Sequence, residues 1–448
     1  MNTNEGSQSG AFMRFKAPVF RNIAMFSIMA FLFLVVGFVQ GWGFSLTILN
    51  LCLISAIMSL GVNIQWGYAG LLNVGVMGFV ALGGLAAVLV SVPPVEEAIT
   101  AGGAGLLLSL IILIVTVASI IVTSRKVAPP YRRPLIAGIV VIGYFVVRFF
   151  YVPAVEAIEA VNPALQGNLG GLGLPIVSSW IVGGIFAAGA AWVVGKISLG
   201  LRSDYLAIAT LGISEIIIAI LKHEEWLARG VKNQIGLPRP VPFEVDVQND
   251  PYYQGIADSL GVNIIEFSSI FVKLCYAGLF LIVLLIVLYF AEKALKSPWG
   301  RMMQAIRDNE TAAEAMGKDV KGRHLQVFIL GSAVIGVAGA MLTTIDGQFT
   351  PPSYQPLRYT FLIWVMVIVG GSGNNWGAVL GGFVIWFFWI QAEPLGLSLI
   401  EFVTSGLAET NALRQHLIEN AAHMRSFTMG LILLLVLRFS PKGLIPER

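Results

Sequence analysis

Twelve runs of apolar residues divide this chain, most of them near the length that spans a bilayer: 23–39, 44–64, 71–92, 103–123, 135–152, 176–196, 205–221, 268–290, 325–345, 359–369, 376–391 and 427–439. A helix needs about 20 such residues to cross roughly 30 Å of hydrocarbon. In lipid every backbone amide must find its partner inside the protein, so repeated runs of this kind can only build a bundle of helices. Composition agrees, because 56% of the 448 residues are hydrophobic and only 12% are charged, against about a quarter charged in soluble domains. The expectation is an all-α, polytopic integral membrane protein with about 10–12 transmembrane helices, the lower number applying if Gly-rich segments turn back instead of crossing.

The same text excludes several classes of function. The net charge of +3 comes from loop lysines and arginines and not from a basic stripe, so lipid and not nucleic acid is the expected surroundings. Cys52 and Cys275 both lie in apolar runs and offer neither a disulfide framework nor metal-ligand spacing. His223, His324, His416 and His423 are scattered, with no HExxH pattern. No catalytic residue, metal site or cofactor is therefore expected on this chain. A phosphate-binding Walker A loop is also missing. The nearest text, Gly189 to Ile197, has the wrong spacing and ends in isoleucine, where a hydroxyl residue would hold magnesium.

Charge placement suggests a topology. Residues 1–22 read as a cytoplasmic tail before a first span that is retained and not cleaved. Lysines and arginines crowd 291–324 and the short loop around Arg125, Lys126, Arg132 and Arg133, which places both on the cytoplasmic side, together with a tail at 441–448. The acid-rich 222–267 then falls outside, as a cap on the outer mouth of a membrane domain covering 23–440. Residues 392–426 read as a further external segment, with Leu413, His416 and Leu417 at helical spacing. Extra spans within 93–175 carry no evident chemistry, and Gly102–Gly105 and Gly167–Gly173 flank them as hinges or tight turns.

One polar, helix-compatible insert stands out between apolar runs, from Ser297 to His324. Ser297 and Pro298 form a helix start, no proline or glycine interrupts 301–316, and Gly317 is placed to end the helix. A single short surface helix is the expectation, with Met302, Ala305, Ile306, Ala312, Ala313 and Met316 on its apolar side and Arg307, Asp308, Glu310 and Glu314 on the wet one. Paired alanines flanked by charges suit docking into a groove of another protein. An amphipathic connector lying on the bilayer fits the same pattern.

Three further features are candidates for a translocation path. Gly67 to Gly75 and Gly370 to Gly377 interrupt apolar runs, and such breaks can expose backbone to a substrate near mid-membrane. Gly70, Asn73, Gly75, Gly370, Gly371 and Gly373 are the residues concerned. Tight turns with small residues for close helix packing are the competing reading. Glu215 lies inside an apolar run, where a carboxylate serves either a cation or proton path or a buried structural hydrogen bond.

Several stretches carry a family resemblance. Residues 311–317, TAAEAMG, resemble the coupling loop of ABC importer permeases, and the longer form SPxGRxxxAIRDNExAAEAxG is similar to that of branched-chain amino acid permeases. Residues 200–213, 328–352, 365–382 and the terminal FSPKGL are similar to segments of the LivM-type permeases. The resemblance implies the ABC importer permease fold, in the bacterial inner membrane, with both termini cytoplasmic. It implies a heterodimer with a second permease subunit, two ATP-binding subunits that carry ATP and magnesium, and a periplasmic binding protein delivering leucine, isoleucine or valine. Arg301, Ala305, Arg307, Asp308, Glu310, Ala312, Ala313 and Gly317 would couple to the ATPases. A permease for urea or short amides, or a proton-coupled transporter working through Glu215, are the alternatives.

Overall fold

The computed structural model describes residues 18–162, 167–406 and 411–447. Residues 1–17 and 448 of the expected tails, and 407–410 of the expected external segment, lie outside them. The described residues are helical almost throughout, with α1 Pro18–Gln40, α2 Trp42–Ala69, α3 Val76–Ser91, α4 Glu96–Lys126, α5 Pro129–Glu159, α6 Ile176–Ser198 and α7 Ser203–His223 in the first half. They continue as α8 Ile264–Lys296, α9 Pro298–Asp308, α10 Glu310–Ala315, α11 Val320–Asp346, α12 Pro356–Gly370, α13 Asn375–Val403 and α14 Met424–Phe439. Among the described residues ten helices are long and apolar enough to cross a membrane, and Val76–Ser91 and Pro356–Gly370 are shorter apolar helices. Each apolar run of the sequence thus became a helix, and the all-α polytopic expectation holds.

Two compact units divide the chain, with boundaries inside α2, α8 and α12. The unit made of Ile64–Asp250 and Lys293–Leu362 centres on α3, α6 and α11. Their contact is built from small residues. A Cβ on Gly83 would strike the Gly336 carbonyl, one on Gly336 the Gly183 carbonyl, and one on Gly339 the Val80 carbonyl. Lipid gives apolar side chains no reason to prefer a neighbouring helix, so close backbone approach and dispersion hold such helices together. A two-residue strand pair, Gln234↔Phe349 and Ile235↔Gln348, ties the segment after α7 to the end of α11.

In the same unit α4 and α5 pair with each other and leave most side chains exposed. Gly102 to Gly105, expected as a hinge or tight turn, lies inside a continuous helix: Ile99–Gly103 is a π-helical turn, and Gly102 and Gly105 sit against Ala154 of α5. Glycine serves close approach there and not a bend. Gly167, Gly170 and Gly173 do turn, each at positive φ, and the segment around them pairs with the end of α3 through Leu172 N to Leu89 O and Leu174 N to Val90 O.

The other unit takes Met1–Asn63, Pro251–Glu292 and Ile363–Arg448. Its apolar centre joins Met29, Val36, Ile48, Cys52, Leu380, Phe387 and Ile445. Gly382 packs on the backbone of Ala56, and Ser59 Oγ donates to Ala378 O at 2.6 Å. Helix α13 passes through Pro394 to Val403, so 392–403 extends the helix where the sequence suggested its end, and the short helix expected beyond is Ala412–Glu419.

Candidate functional site

Ser297 Oγ accepts from Gly300 N at 3.3 Å and starts α9, with Pro298 at the first helical position. The single helix expected over 301–316 is corrected here. Asn309 leaves helical geometry at φ −156°, ψ 95°, and its Oδ1 accepts from Ala312 N at 2.9 Å to cap α10. The short Asn amide competes with the helical backbone, so neither proline nor glycine is needed for the break. Gly317, at φ +74°, closes α10 as expected, with Lys318 N bonded to Ala313 O at 3.1 Å.

Met303 and Ile306 are buried, which fixes α9 against its unit, whereas α10 has no buried residue. The two helices enclose an open groove of about 730 Å³ that includes Trp299, Met302, Ala305, Ala312, Ala313 and Met316. The structure therefore brings Ala305, Ala312 and Ala313 together. Arg301 and Asp308 are exposed outside the groove, while Arg307 and Glu310 line a separate cavity of about 220 Å³.

Arg307 reaches the end of α2. Its Nη1 donates to Gly67 O, and its Nε to Asp308 Oδ1 at 3.2 Å. Helix α2 ends at Ala69, and Gly70 takes φ +69° to leave it. The carbonyls of Trp66 and Gln65 accept from Gly70 N and Leu71 N at 2.8 and 3.1 Å. Gly67 has its carbonyl satisfied by the guanidinium, whose positive charge also suits the negative end of the helix dipole.

Residues 70–75 form the break between α2 and α3. Gly67, included in the break by sequence, belongs to α2. Asn73 is fully buried, donating through Nδ2 to Gln65 Oε1 and accepting at Oδ1 from Gly75 N, both at 2.9 Å. Gln65 Nε2 donates to Phe328 O and Ser332 Oγ of α11, both at 3.0 Å. Val74 N donates to Thr210 Oγ1 of α7 at 3.1 Å, and Gly75 lies so close to the Thr210 carbonyl that no Cβ would fit. These bonds satisfy Val74 N and Gly75 N at the buried Asn73, where an unpaired polar group is costly. Gln65 and Thr210 were not among the sequence candidates. Polar residues inside the apolar text are the only signal that could have marked them.

The second Gly-rich stretch, in the other unit, is a tight turn. Gly371 and Gly373 have φ +117° and +83°, and Asn374 caps α13 through Trp376 N at 3.0 Å. Gly370 abuts the Gly377 backbone, and Leu444 N and Ile445 N donate to Val369 O and Gly370 O at 2.8 and 2.9 Å. Asn63 Oδ1 accepts from Gly373 N at 2.9 Å, Asn63 Nδ2 donates to Asn375 Oδ1 at 3.1 Å, and Asn375 Nδ2 donates to Glu292 Oε1 at 3.1 Å. Each unit thus fastens its break with a buried side-chain amide. Glu215 is exposed on α7 beside Gly212 and Ile216, while Ser214 is buried.

Comparison with known proteins places this arrangement. The chain is 26% identical over 312 residues to a probable branched-chain amino acid transport permease protein LivM of Methanocaldococcus jannaschii, covering 65% of this chain and 74% of that one. It is 28% identical over 257 residues to the high-affinity branched-chain amino acid transport system permease protein LivM of Escherichia coli, covering 56% of each. Over 116 residues it is 30% identical to a probable branched-chain amino acid transport permease protein LivH of M. jannaschii, covering 26% of this chain and 35% of that one. No solved structure matches. The model of the branched-chain amino acid transport system permease components matches residues 44–437, nearly the whole helical bundle, and the chain belongs to that family.

Proposed function

We propose that this chain is the membrane-spanning permease subunit of an ATP-driven importer, forming with a second permease the path for leucine, isoleucine or valine. A periplasmic binding protein delivers the amino acid, and ATP and magnesium are held by two separate ATP-binding subunits on the cytoplasmic face of the inner membrane. Both termini face the cytoplasm. The observation that carries this reading is the bond from Arg307 to Gly67, because it joins α9, which leads into the exposed α10, to the end of α2 at the break.

In this scheme the groove bearing Ala305, Ala312 and Ala313 seats against an ATP-binding subunit. Closure of the ATPases moves α9 and α10 as a rigid body, and α9 carries the α2 terminus and Gly70–Gly75 with it. Arg301, Asp308 and Glu310 set the register of docking by charge, and Gly317 fixes the end of the moving piece. The similarity of a shorter stretch to a LivH permease supports pairing with a second, related subunit.

Ala312→Glu tests the reading, since Ala312 is exposed and the substitution leaves the fold intact. In proteoliposomes holding the complete transporter, leucine uptake falls about tenfold or more while the amount of inserted protein stays constant, the loss of roughly 1.4 kcal/mol of coupling being enough for that factor. Unchanged uptake would overturn it.

A further inference from the structure

The α4–α5 pair takes no part in the transport reading, yet it holds a charge inside apolar text. Arg148 stands within the run 135–152, about 6 Å along the helix axis from the end of that run. The side chain is exposed, and its Nη1 donates to Tyr144 Oη at 3.0 Å, one turn further into the run. An arginine reaching for water at the near end of the span would extend toward Glu159, and this one turns the other way.

No acid of the pair answers it. From Ala98 to Val155 the chain has no aspartate or glutamate. Gly143 against Thr116 and Gly105 against Ala154 fix the register of α4 on α5, so the stretch of α4 opposite Arg148 lies between Gly105 and Thr116 and is uncharged. Beyond the pair, Glu224 accepts from Tyr151 Oη and Trp226 Nε1, and Glu159 accepts from Trp226 N. Among the described residues the Arg148 guanidinium meets no carboxylate.

Arg148 borders an apolar cavity of about 750 Å³, together with Ala101, Gly105, Phe145, Phe149 and Pro153, and neither Glu156, Glu159 nor Glu224 lines it. Small residues on α4 and two exposed rings on α5 leave room there for a hydrocarbon chain. Pro153 has no amide hydrogen, so the Phe149 carbonyl loses its helical donor in the wall of the same cavity. In lipid a cation without a counter-charge and a carbonyl without a donor are both costly. Helix carbonyls point to the C-terminal end, which puts this acceptor nearer the end of the span than the guanidinium. A ligand that satisfies both carries an apolar tail, then a phosphate, then a hydroxyl, in that order toward the end of the span. A zwitterionic headgroup brings its own cation to the phosphate and meets Arg148 less well.

We propose that this cavity seats one anionic phospholipid of the phosphatidylglycerol type, with its phosphate on Arg148, a glycerol hydroxyl on the Phe149 carbonyl and an acyl chain beside Phe145 and Gly105. The proposal rests on the membrane placement of α4 and α5 and not on the transported substrate, so it survives failure of the transport reading.

Native mass spectrometry of the full chain in detergent, titrated with dioctanoyl phosphatidylglycerol and separately with dioctanoyl phosphatidylcholine, tests it. One saturable phosphatidylglycerol is expected, held about tenfold more tightly than phosphatidylcholine. Arg148→Gln abolishes that preference. Ala101→Phe fills the cavity without touching the charge and weakens phosphatidylglycerol by about tenfold, both positions being exposed and tolerant of change. Lys126→Gln, at an exposed position at the far end of α4, keeps the preference. Equal binding of the two lipids by the unaltered chain overturns the proposal and leaves the cavity to a span of another protein. Preference retained in Arg148→Gln, undiminished binding in Ala101→Phe, or the same loss in Lys126→Gln overturns it as well, the last by making the attraction diffuse.

Discussion

Arg307 Nη1 donates to the carbonyl oxygen of Gly67, a residue 240 positions away in sequence. Through that bond α9, half-buried and followed by the exposed α10, holds the end of a largely buried helix at the point where its backbone unwinds. Arg307 is 24% exposed at its side chain, so the bond is partly shielded from water. A hydrogen bond from a charged donor under those conditions contributes about 1.5–3 kcal/mol.

Replacing Arg307 with Gln removes the charge and the reach while keeping polarity. In the proposed ATP-driven importer, the number of amino acids taken up per ATP hydrolysed is expected to fall about tenfold, with ATP hydrolysis itself maintained, as loss of about 1.5 kcal/mol in the link implies. Arg307→Lys restores part of the ratio. Parallel uptake and hydrolysis assays on proteoliposomes decide it, and an unchanged ratio would mean the bond is only structural.

Gln65 is 1% exposed and serves Asn73, Phe328 O and Ser332 at once. Gln65→Leu keeps the volume and leaves those partners buried without it, a destabilisation of about 2–3 kcal/mol. A lower unfolding temperature in detergent is the readout. Asn63→Leu should act alike at the other break, where Gly373 N and Asn375 lose their partner.

Glycines at the α12–α13 contact and on α7 should respond in opposite directions. A Cβ at Gly381 would collide with Met366 O, so Gly381→Ala forces the helices apart and costs about 1–3 kcal/mol. Nothing lies within 4 Å of a Cβ at Gly212, and Gly212→Ala in a helix interior stabilises by about 0.5–1 kcal/mol. Folded yield and unfolding temperature of the two variants make the comparison.

Glu215 separates the energy sources. In an ATP-driven importer, Glu215→Gln keeps ATP-dependent uptake, because Glu215 lines neither the α9–α10 groove nor the cavity bordered by Arg307 and Glu310. Uptake abolished with hydrolysis unaltered would instead make Glu215 part of a proton path.

Tyr354 supplies a pH signature. It lies in the loop before α12 and shares a hydrogen bond with Thr343 at 2.9 Å. Burial pushes its phenol well above the ordinary range; the Thr343 bond opposes this, and the charge of Asp346 adds to it. The folded state therefore keeps the proton longer than the unfolded chain does. This contribution to stability is complete below about pH 10 and is lost as the pH rises beyond that value. Tyr354→Phe should flatten the alkaline limb of a stability-against-pH curve; an identical limb would exclude the residue as its source.

Local chemistry carried much of this structure. Ser297 and Pro298 announced α9, Gly317 ended α10, and each apolar run formed a helix, because hydrogen-bonding demand in lipid and capping geometry act over only a few neighbouring residues. Asn309 shows where that reading stopped. An Asn inside helix-compatible text is ambiguous until burial of Met303 and Ile306 fixes α9 on its unit and leaves α10 free to start anew.

The sequence by itself determined the number of apolar segments, the places where they are interrupted and the polar insert at 297–324. Only the tertiary structure decided what those interruptions do. Asn73 and Gln65 could have faced a lumen or each other, Gly102 could have bent a helix or admitted a neighbour, and Arg307 could have pointed to water. Their outcomes depend on partners from distant parts of the chain, such as Ser332, Ala154 and Gly67. Helix formation is settled by neighbours along the chain, whereas pairing of buried polar groups is settled by which helices come close enough to leave no water between them.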